Sequence, residues 1–520
     1  MLNSKPVIIR LKKTKILDMK SILRNIMLLL VAVSLTTTSC DDGFAELNTN
    51  PNAANEIDPN YQFTWVQLRT SGGRYENWRA GLIYSSMMMQ HMSALCGYWT
   101  GDKYTYNAGY SSSLFDRQYT EAIRDVQDLI NTLQAGEVGD QTMLGMARIW
   151  RVVIFHRLTD MYGDVPYFQA GKGFLEGVDL PEFDAQEAIY DDMLKELEEA
   201  VAQIGSDGGF GSADLIFAGD TDKWKRLGNS LMLRLGMRLS EVDAAKAQQW
   251  VGKAISGGVL QAGEDAFIEH TNGPEGINRN GIGEVLDKSN GFGDDCPRIS
   301  ETFMNWLKDH NDPRLSIIAS PSANTGEFVG LPNGLDATTI INNPTGDELD
   351  DFSPVNQAIV NVASPMMFIT SGETELLLAE ASVRGWNNGD AATHYENGVR
   401  NAINMWAAYG FPVDAGDIDA YLAANPFDAA NAMQQIGEQY WAATFLNEYE
   451  TFANWRRTGY PELTAVNYPG NVTNGTIPVR LALPQGELGV NPNMRTALDR
   501  QGMGTDFAGH LTVPVWWDAN

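Results

Sequence analysis

The stretch TMLGMARIWRVVIFHRLTDMYGDVPY, Thr142 to Tyr167, decides how the chain is read. Met143, Met146, Ala147, Trp150, Ile154, Leu158 and Met161 advance in three- and four-residue steps, the period of one helix face. Ile149, Val152, Val153 and Phe155 widen that face until little is left for solvent, which makes this helix central to a fold. About twenty-one helical residues span roughly 31 Å, the width of a domain. Arg148, Arg151, Arg157 and Asp160 interrupt the run too often for a lipid-spanning helix. Gly163 and then Pro166 supply the stop, and Val165, lying before proline, is pushed to an extended conformation. The chain leaves a buried helix through a sharp corner, YGDVPY.

A chain of 520 residues can bury a large core, as one big helical unit or as two or three domains. Its hydrophobic content of 43% and charged content of 20% are ordinary for a globular protein. Its charge balance is not. The first 40 residues hold seven Lys or Arg and one acid, which leaves the rest with 30 basic and 65 acidic residues and a formal charge near −35. Such a surface argues against DNA, RNA or anionic lipid head groups as partners, and solubilisation is its plainer meaning. Three cysteines cannot build a disulfide framework. With Cys40 used elsewhere, Cys96 and Cys296 are buried thiols or one pair. Free cysteine behaves as a small hydrophobe, so buried thiols are the preferred reading.

Residues 19–40, MKSILRNIMLLLVAVSLTTTSC, carry Lys20 and Arg24, an apolar run from Ile26 to Leu35 and small residues before Cys40. This resembles a bacterial lipoprotein signal over residues 1–40, in which Cys40 becomes the acylated first mature residue. Thr37 stands where leucine is commoner. Several acyl chains anchor durably, at about 0.8 kcal/mol per buried methylene, where one chain is marginal. Asp41, Asp42, Asn48, Asn50, Pro51 and Asn52 open a polar tether over residues 41–60.

Helical spacing then recurs. Trp78, Leu82, Ser85, Met89 and Met92 keep it, as do residues 114–133. Asp184 and Glu187 make a capping-box-like start for a helix with Ile189, Met193, Leu197, Ala200 and Ile204 on one face. Trp224, Leu227, Leu231, Leu235 and Leu239 mark another, and Trp250 with Ala254 a shorter one closed by Gly257-Gly258. From 259 to about 362 the rhythm mostly fails, apart from a helix over 299–308, and loops this long are commonly functional. Helices return at Glu373 as two joined by the turn from Gly385 to Gly389, rich in small residues as a tetratricopeptide-like hairpin requires. A last long helix is expected over 433–455.

No Walker A, G-x-S-x-G, H-E-x-x-H or EF-hand pattern is present, and the six histidines lack metal-ligand spacing. No metal and no cofactor is expected. His156 reads as a hydrogen-bonded core histidine. Gly281-Ile282-Gly283 follows no strand, as a dinucleotide site would require. A glycosidase-type acid and base would come most naturally from Glu373 with Glu375 or Glu448 with Glu450. The plainer reading of these is helix-surface charge or pairing with arginines such as Arg456 and Arg457.

Thirteen aromatics crowd the 59 residues from Tyr61 to Tyr119. Those of YWTGDKYTYNAGY, residues 98–110, fall in a loop without helical or strand period. Tyr98, Trp99, Tyr104 and Tyr106, with Asp102 and Asn107 as polar partners, form the candidate ligand site. A sugar offers flat C–H faces and a rim of hydroxyls, and this loop supplies aromatic faces beside hydrogen-bonding groups. The competing reading folds these aromatics inward to pin the loop to the helices beneath. Trp306 is a poorer candidate, since Phe303, Trp306 and Leu307 share a helix face.

DDGFAELNTNPNAAN after Cys40, MYGDVPYF at 161–168, HNDPRL at 310–315 and ETELLLAEA at 373–381 occur in this order. NEYETFANWRRTGYPEL at 447–463, IPVRLALPQGELGVNP at 477–492 and VPVWWD at 513–518 follow. Together they resemble SusD/RagB-family outer-membrane lipoproteins of Bacteroidetes. The resemblance implies a mostly α fold, an α-α superhelix of irregular tetratricopeptide-like hairpins over residues 61–520, with a loop-rich ligand-binding region at about 259–362. It implies a surface-exposed lipoprotein anchored in the outer membrane and facing outward. Its expected partners are a SusC-like TonB-dependent transporter and a glycan, with a peptide as the alternative cargo. It implies no catalytic residues, and the residues after the lipidated cysteine, Asp41 and Asp42, look like the family's export feature. An α-helical glycosidase is the competing reading from another class.

Overall fold

The computed structural model describes residues 21–28, 57–135, 140–273, 276–291 and 293–519. The chain divides into two units between Ile57 and Asp58. In the first, residues 21–28 are helical, whereas Cys40 and the expected tether up to residue 56 lie outside the described residues.

The second unit is mostly helix. In chain order its principal helices are α1 Pro59–Ser71, α2 Arg124–Ala135, α3 Gln141–Tyr162, α4 Gln186–Gln203, α5 Thr221–Arg238 and α6 Ala244–Gly257. They continue with α7 Glu301–Asp309, α8 Ser371–Val383, α9 Ala391–Asn404, α10 Ala415–Ala424, α11 Ala432–Ala443 and α12 Glu448–Thr458. The closest pairings are α3 with α4, α5 with α6 and α8 with α9, each a sequential pair. Helix α5 also meets α4 and α8, so the pairs stack into the expected α-α superhelix. Tight pairing needs small residues at the crossings. A methyl group on Gly398 would stand 2.7 Å from Leu376 Cγ, and one on Gly372 would stand 2.7 Å from the Ala402 nitrogen. Among the described residues no helix is long and apolar enough to cross a membrane.

The helix α3 is what its periodicity predicts. Asp140 accepts from Thr142 N at 2.9 Å and Met143 N at 3.1 Å, which caps the start, and Gly163 ends the helix at φ 74°. Trp150, Ile149, Val152 and Leu158 are fully enclosed. Beyond it, the YGDVPY corner corrects one expectation. Asp184 does not cap α4; its carboxylate accepts from Tyr167 N and Phe168 N, both at 2.9 Å, while Val165 and Asp184 form an antiparallel bridge. The cap comes from across the corner, where Asp164 accepts from Gln186 N at 2.9 Å. The two aspartates exchange the roles that sequence distance would assign them.

Three further expectations are corrected. The helical run from Trp78 stops at Gln90, which adopts φ 54°, and Met92 belongs instead to strand β1 Met92–Ala94. The last long helix is two, α11 and α12, broken where Leu446 adopts φ 72° and its N–H is taken by Glu448 at 3.1 Å. Cys96 and Cys296 form a disulfide with Cα atoms 5.8 Å apart. Strand β1 pairs antiparallel with a later strand, Pro297–Ile299, with Ala94 opposite Pro297, and the cysteines sit just past that end of the ladder. A second short ladder joins Ala266–Ile268 to Met366–Ile369. These two ladders tie the loop-rich region of 259–362 to the helices.

Candidate functional site

Between α1 and β1 the chain forms a wide, π-helical stretch, Asn77–Ser86, preceded by one turn at Arg74–Glu76. On this segment Arg74 lies four residues before Trp78, and Tyr75 four before Arg79, a spacing that puts side chains side by side. The contacts follow. Arg74 lies over the Trp78 ring at 5.3 Å, and Arg79 lies over Tyr75 at 3.8 Å and Trp78 at 5.2 Å. Arg117 also approaches the Tyr75 ring, at 5.1 Å.

Two open cavities of about 460 and 410 Å³ meet at Arg74 and Trp78, each the size of a small-ligand pocket. The first is lined by Tyr75, Arg79, Arg117 and, from the loop-rich region, Gly276, Ile277 and Glu284. The second adds Tyr98, Tyr110 and Asp294. Trp78 and Tyr98 meet edge to face at 6.1 Å and 76°. The Tyr98 hydroxyl donates to Asp294, 3.0 Å from Oδ2, and lies 3.2 Å from Cys296 Sγ. The disulfide thus braces both sides of the aromatic corner, since Tyr98 and Asp294 each lie two residues from a bridged cysteine. Burial and the Asp294 carboxylate push the Tyr98 hydroxyl up to about 12, so it stays protonated and donates. Burial likewise pushes Glu76 up to about 7, against the N–H of Gly73, which it accepts at 3.0 Å.

The six residues proposed from the sequence separate here. Tyr98, 43% exposed, faces the second cavity. Trp99 is enclosed and donates through Nε1 to Asp294 at 2.8 Å. Asp102 is enclosed, holding Lys103 Nζ at 2.8 Å and accepting from Ser93 Oγ and Gly334 N. Tyr104 is enclosed at φ 51°, its hydroxyl accepting from Val466 N at 3.2 Å. Tyr106 is half-buried, and the exposed Asn107 caps the turn that carries Tyr110. The loop is pressed so closely on the π-helical stretch that a methyl on Gly101 would stand 1.7 Å from the Ile83 carbonyl oxygen. Only Tyr98 joins the aromatic surface; Trp99, Asp102 and Tyr104 pin the loop, the inward reading.

Reasoning from sequence missed Arg74, Tyr75, Arg79, Tyr110 and Asp294, and it read Trp78 only as part of a helical spacing. The signal was present in RYENWR, where two arginines flank two aromatics and each pairs with one at four-residue spacing. Trp306 is half-buried, over His310 at 4.6 Å and bonded to Glu438, with Phe303 and Leu307 in the core. Of the carboxylates considered as catalytic pairs, Glu373, Glu448 and Glu450 are enclosed and Glu375 is half-buried. Glu448 holds His91 at 2.9 Å, Glu375 holds His394 at 2.6 Å, and Glu373 and Glu450 bind Arg234 and Arg238 rather than Arg456 and Arg457. His156 is enclosed, with Nδ1 3.1 Å from the Val152 carbonyl oxygen, and burial and Arg234 hold it well below the usual histidine range. Among the described residues, no group of three or more His, Cys, Asp or Glu is placed to hold a metal ion.

A family model described as SusD-like, starch-binding and associating with outer membrane, matches residues 51–484. Among solved structures the chain is similar to a chitin-binding protein at 32% identity and a TM-score of 0.80, over 89% of this chain and 100% of that one. It is similar to a SusD-like protein of Bacteroidetes, AC2a, at 25% identity and a TM-score of 0.76, over 89% and 100%. A SusD homologue from Bacteroides vulgatus shares the fold at 22% identity and a TM-score of 0.72, over 88% and 98%. Among curated proteins nothing matches.

Proposed function

The chain belongs to the SusD-like family, described as starch-binding and associating with the outer membrane, and from that premise we propose that it captures oligosaccharides and delivers them to a SusC-like TonB-dependent transporter. The observation that carries the reading is the corner of Trp78 and Tyr98, flanked by Arg74, Arg79 and Asp294 at the junction of two cavities. Aromatic faces take the apolar face of a sugar ring, and the flanking groups supply donors and acceptors for its hydroxyls. The chitin-binding name of the 32%-identical relative supports a glycan over a peptide as cargo.

Binding has more support than hydrolysis. The carboxylates that could have formed an acid and base pair are engaged by arginine or histidine, and none of them lines either cavity. Calorimetry of Trp78→Ala with a panel of oligosaccharides tests the site. Loss of one stacking face should weaken binding about tenfold or more, with the melting temperature close to that of the parent chain. Affinity retained in both Trp78→Ala and Tyr98→Ala would remove the site from this corner. Shorter products on incubation with the same panel would replace capture by catalysis.

The anchor is part of the same proposal: Cys40 is acylated, and the protein attaches to the outer membrane through it, facing outward. The basic, apolar and small residues that end at Cys40 support this. Fatty-acid labelling should be strong in the parent chain and absent in Cys40→Ala. Equal labelling of both would exclude the anchor.

A further inference from the structure

The larger cavity of the site carries more positive charge than a neutral sugar needs. Arg69, Arg74, Arg79 and Arg117 all line it, in a chain of formal charge −29. Three carboxylates line it as well, and each is committed. Glu121 is shared, at 2.9 Å from both Arg69 and Arg117. Glu76 is turned inward to the Gly73 N–H. Glu284 lies 3.9 Å from Arg279, which does not line the cavity, and its backbone carbonyl takes Arg74. Arg79 has no hydrogen-bond or ion-pair partner among the described residues; it is held only by rings, those of Tyr75, Trp78 and, at 5.9 Å, Tyr110.

We infer that the captured saccharide bears an anionic group, a carboxylate or a sulfate ester, and that Arg79 with its neighbouring guanidiniums receives it. The inference rests on the glycan-capture reading and names its substrate class. A neutral sugar offers hydroxyls that donate as readily as they accept, so a site for it balances donors with acceptors. Guanidinium groups are donors only. Their planar forks match two oxygens at once, which is the geometry of a carboxylate or a sulfate. Stacking on Tyr75 fixes the plane of Arg79 while leaving its in-plane N–H edge to bond. The protonation of Glu76 near neutrality further lowers the negative charge in the cavity.

Calorimetry on the full chain decides it, with three trisaccharides of equal length: a trigalacturonate, a sulfated galactan trisaccharide and a neutral tri-N-acetylchitotriose. One of the acidic ligands should bind about tenfold or more tighter than the neutral one, with the gap shrinking as salt is raised. Which of the two binds identifies carboxylate or sulfate. Arg79→Gln should erase the gap and Arg79→Lys should keep part of it, with melting temperatures measured alongside so that a misfolded variant is recognised and Arg79→Lys then carries the comparison. A neutral trisaccharide that binds as tightly as both acidic ones overturns the acidic assignment and leaves glycan capture standing. No binding of any saccharide, with or without binding of an acidic tripeptide, overturns both.

Discussion

Trp150→Ala should lower the melting temperature by ~3–5 °C, the largest effect expected of a single apolar substitution in this chain. Trp150 is fully enclosed on α3, packed against Phe368 at 5.0 Å and Trp224 at 6.1 Å, rings brought by a later strand and by α5. Its Nε1 donates to Thr70 Oγ1 on α1 at 2.9 Å. One side chain therefore joins four segments that are far apart in sequence. Truncating a buried tryptophan typically costs ~3–5 kcal/mol, because the space it leaves closes only in part. A unit of more than 450 residues unfolds with an entropy of about 1 kcal/mol/K, at roughly 2.1 cal/mol/K per residue, which converts that loss into a few degrees. Thr70 keeps its own bond to the Val66 carbonyl, so the lost hydrogen bond adds little. Calorimetric melting is the measurement, and a shift below ~1 °C would show that α3 does not organise the core.

What the sequence disclosed about this core follows from how local each signal is. Helix α3 was legible because its periodicity and its Gly163 stop lie within one stretch. The break between α11 and α12 was not, because it depends on Glu448 turning back to Leu446 N while holding His91 from another part of the chain. The disulfide was hidden for a similar reason. Cys96 and Cys296 are 200 residues apart and meet only because two three-residue strands pair.

The candidate site was half legible. Aromatic density pointed to the segment that carries Trp78 and Tyr98, and the loop-rich stretch contributes Ile277, Glu284 and Asp294 to the two cavities. Trp78 was read only as one position of a 3.6-residue helical period. The π-helical stretch that holds it is wider than an α-helix, so faces drift out of that period, and Trp78 is left half-buried at the cavity. The loop at 98–110 misled in the other direction. Its rings look like a platform, yet large aromatics are mostly enclosed, and Trp99 and Tyr104 obey that rule.

Glu450→Ala should cost about as much as Trp150→Ala, ~3–5 kcal/mol, through charge instead of volume. Glu450 is enclosed at the start of α12 and receives Arg238 Nη2 at 2.8 and 2.9 Å and the Tyr440 hydroxyl at 2.9 Å. Arg234 Nε stands 3.5 Å away, and the same arginine donates to Glu373 at 3.1 Å from α5 to α8. Asp160 on α3 lies 3.3 Å from Arg238 and accepts from Trp517 Nε1 at 3.0 Å. Removing Glu450 leaves two enclosed guanidiniums short of a counter-charge, and the cost is their desolvation. The two glutamates titrate as a linked pair. Burial alone would raise both; Arg234 and Arg238 outweigh it at Glu450 and hold that group at about 2, while burial and the Glu450 charge keep Glu373 up at about 7. The signs therefore oppose. Glu373 binds its proton more tightly folded than unfolded, so its contribution favours folding more as pH falls from 7 towards 4.5. Glu450 holds its proton less tightly folded, so its contribution is complete above 4.5 and is lost as pH falls towards 2. Melting curves of the parent chain and Glu450→Gln should run far apart at pH 7 and converge as pH falls from 4.5 towards 2. Because Glu373 loses its repelling neighbour in that variant, it should ionise more readily and take over Arg234, which leaves Arg238 as the guanidinium whose pairing decides the remaining gap. Parallel curves through that window would mean that Glu450 carries no charge in the fold.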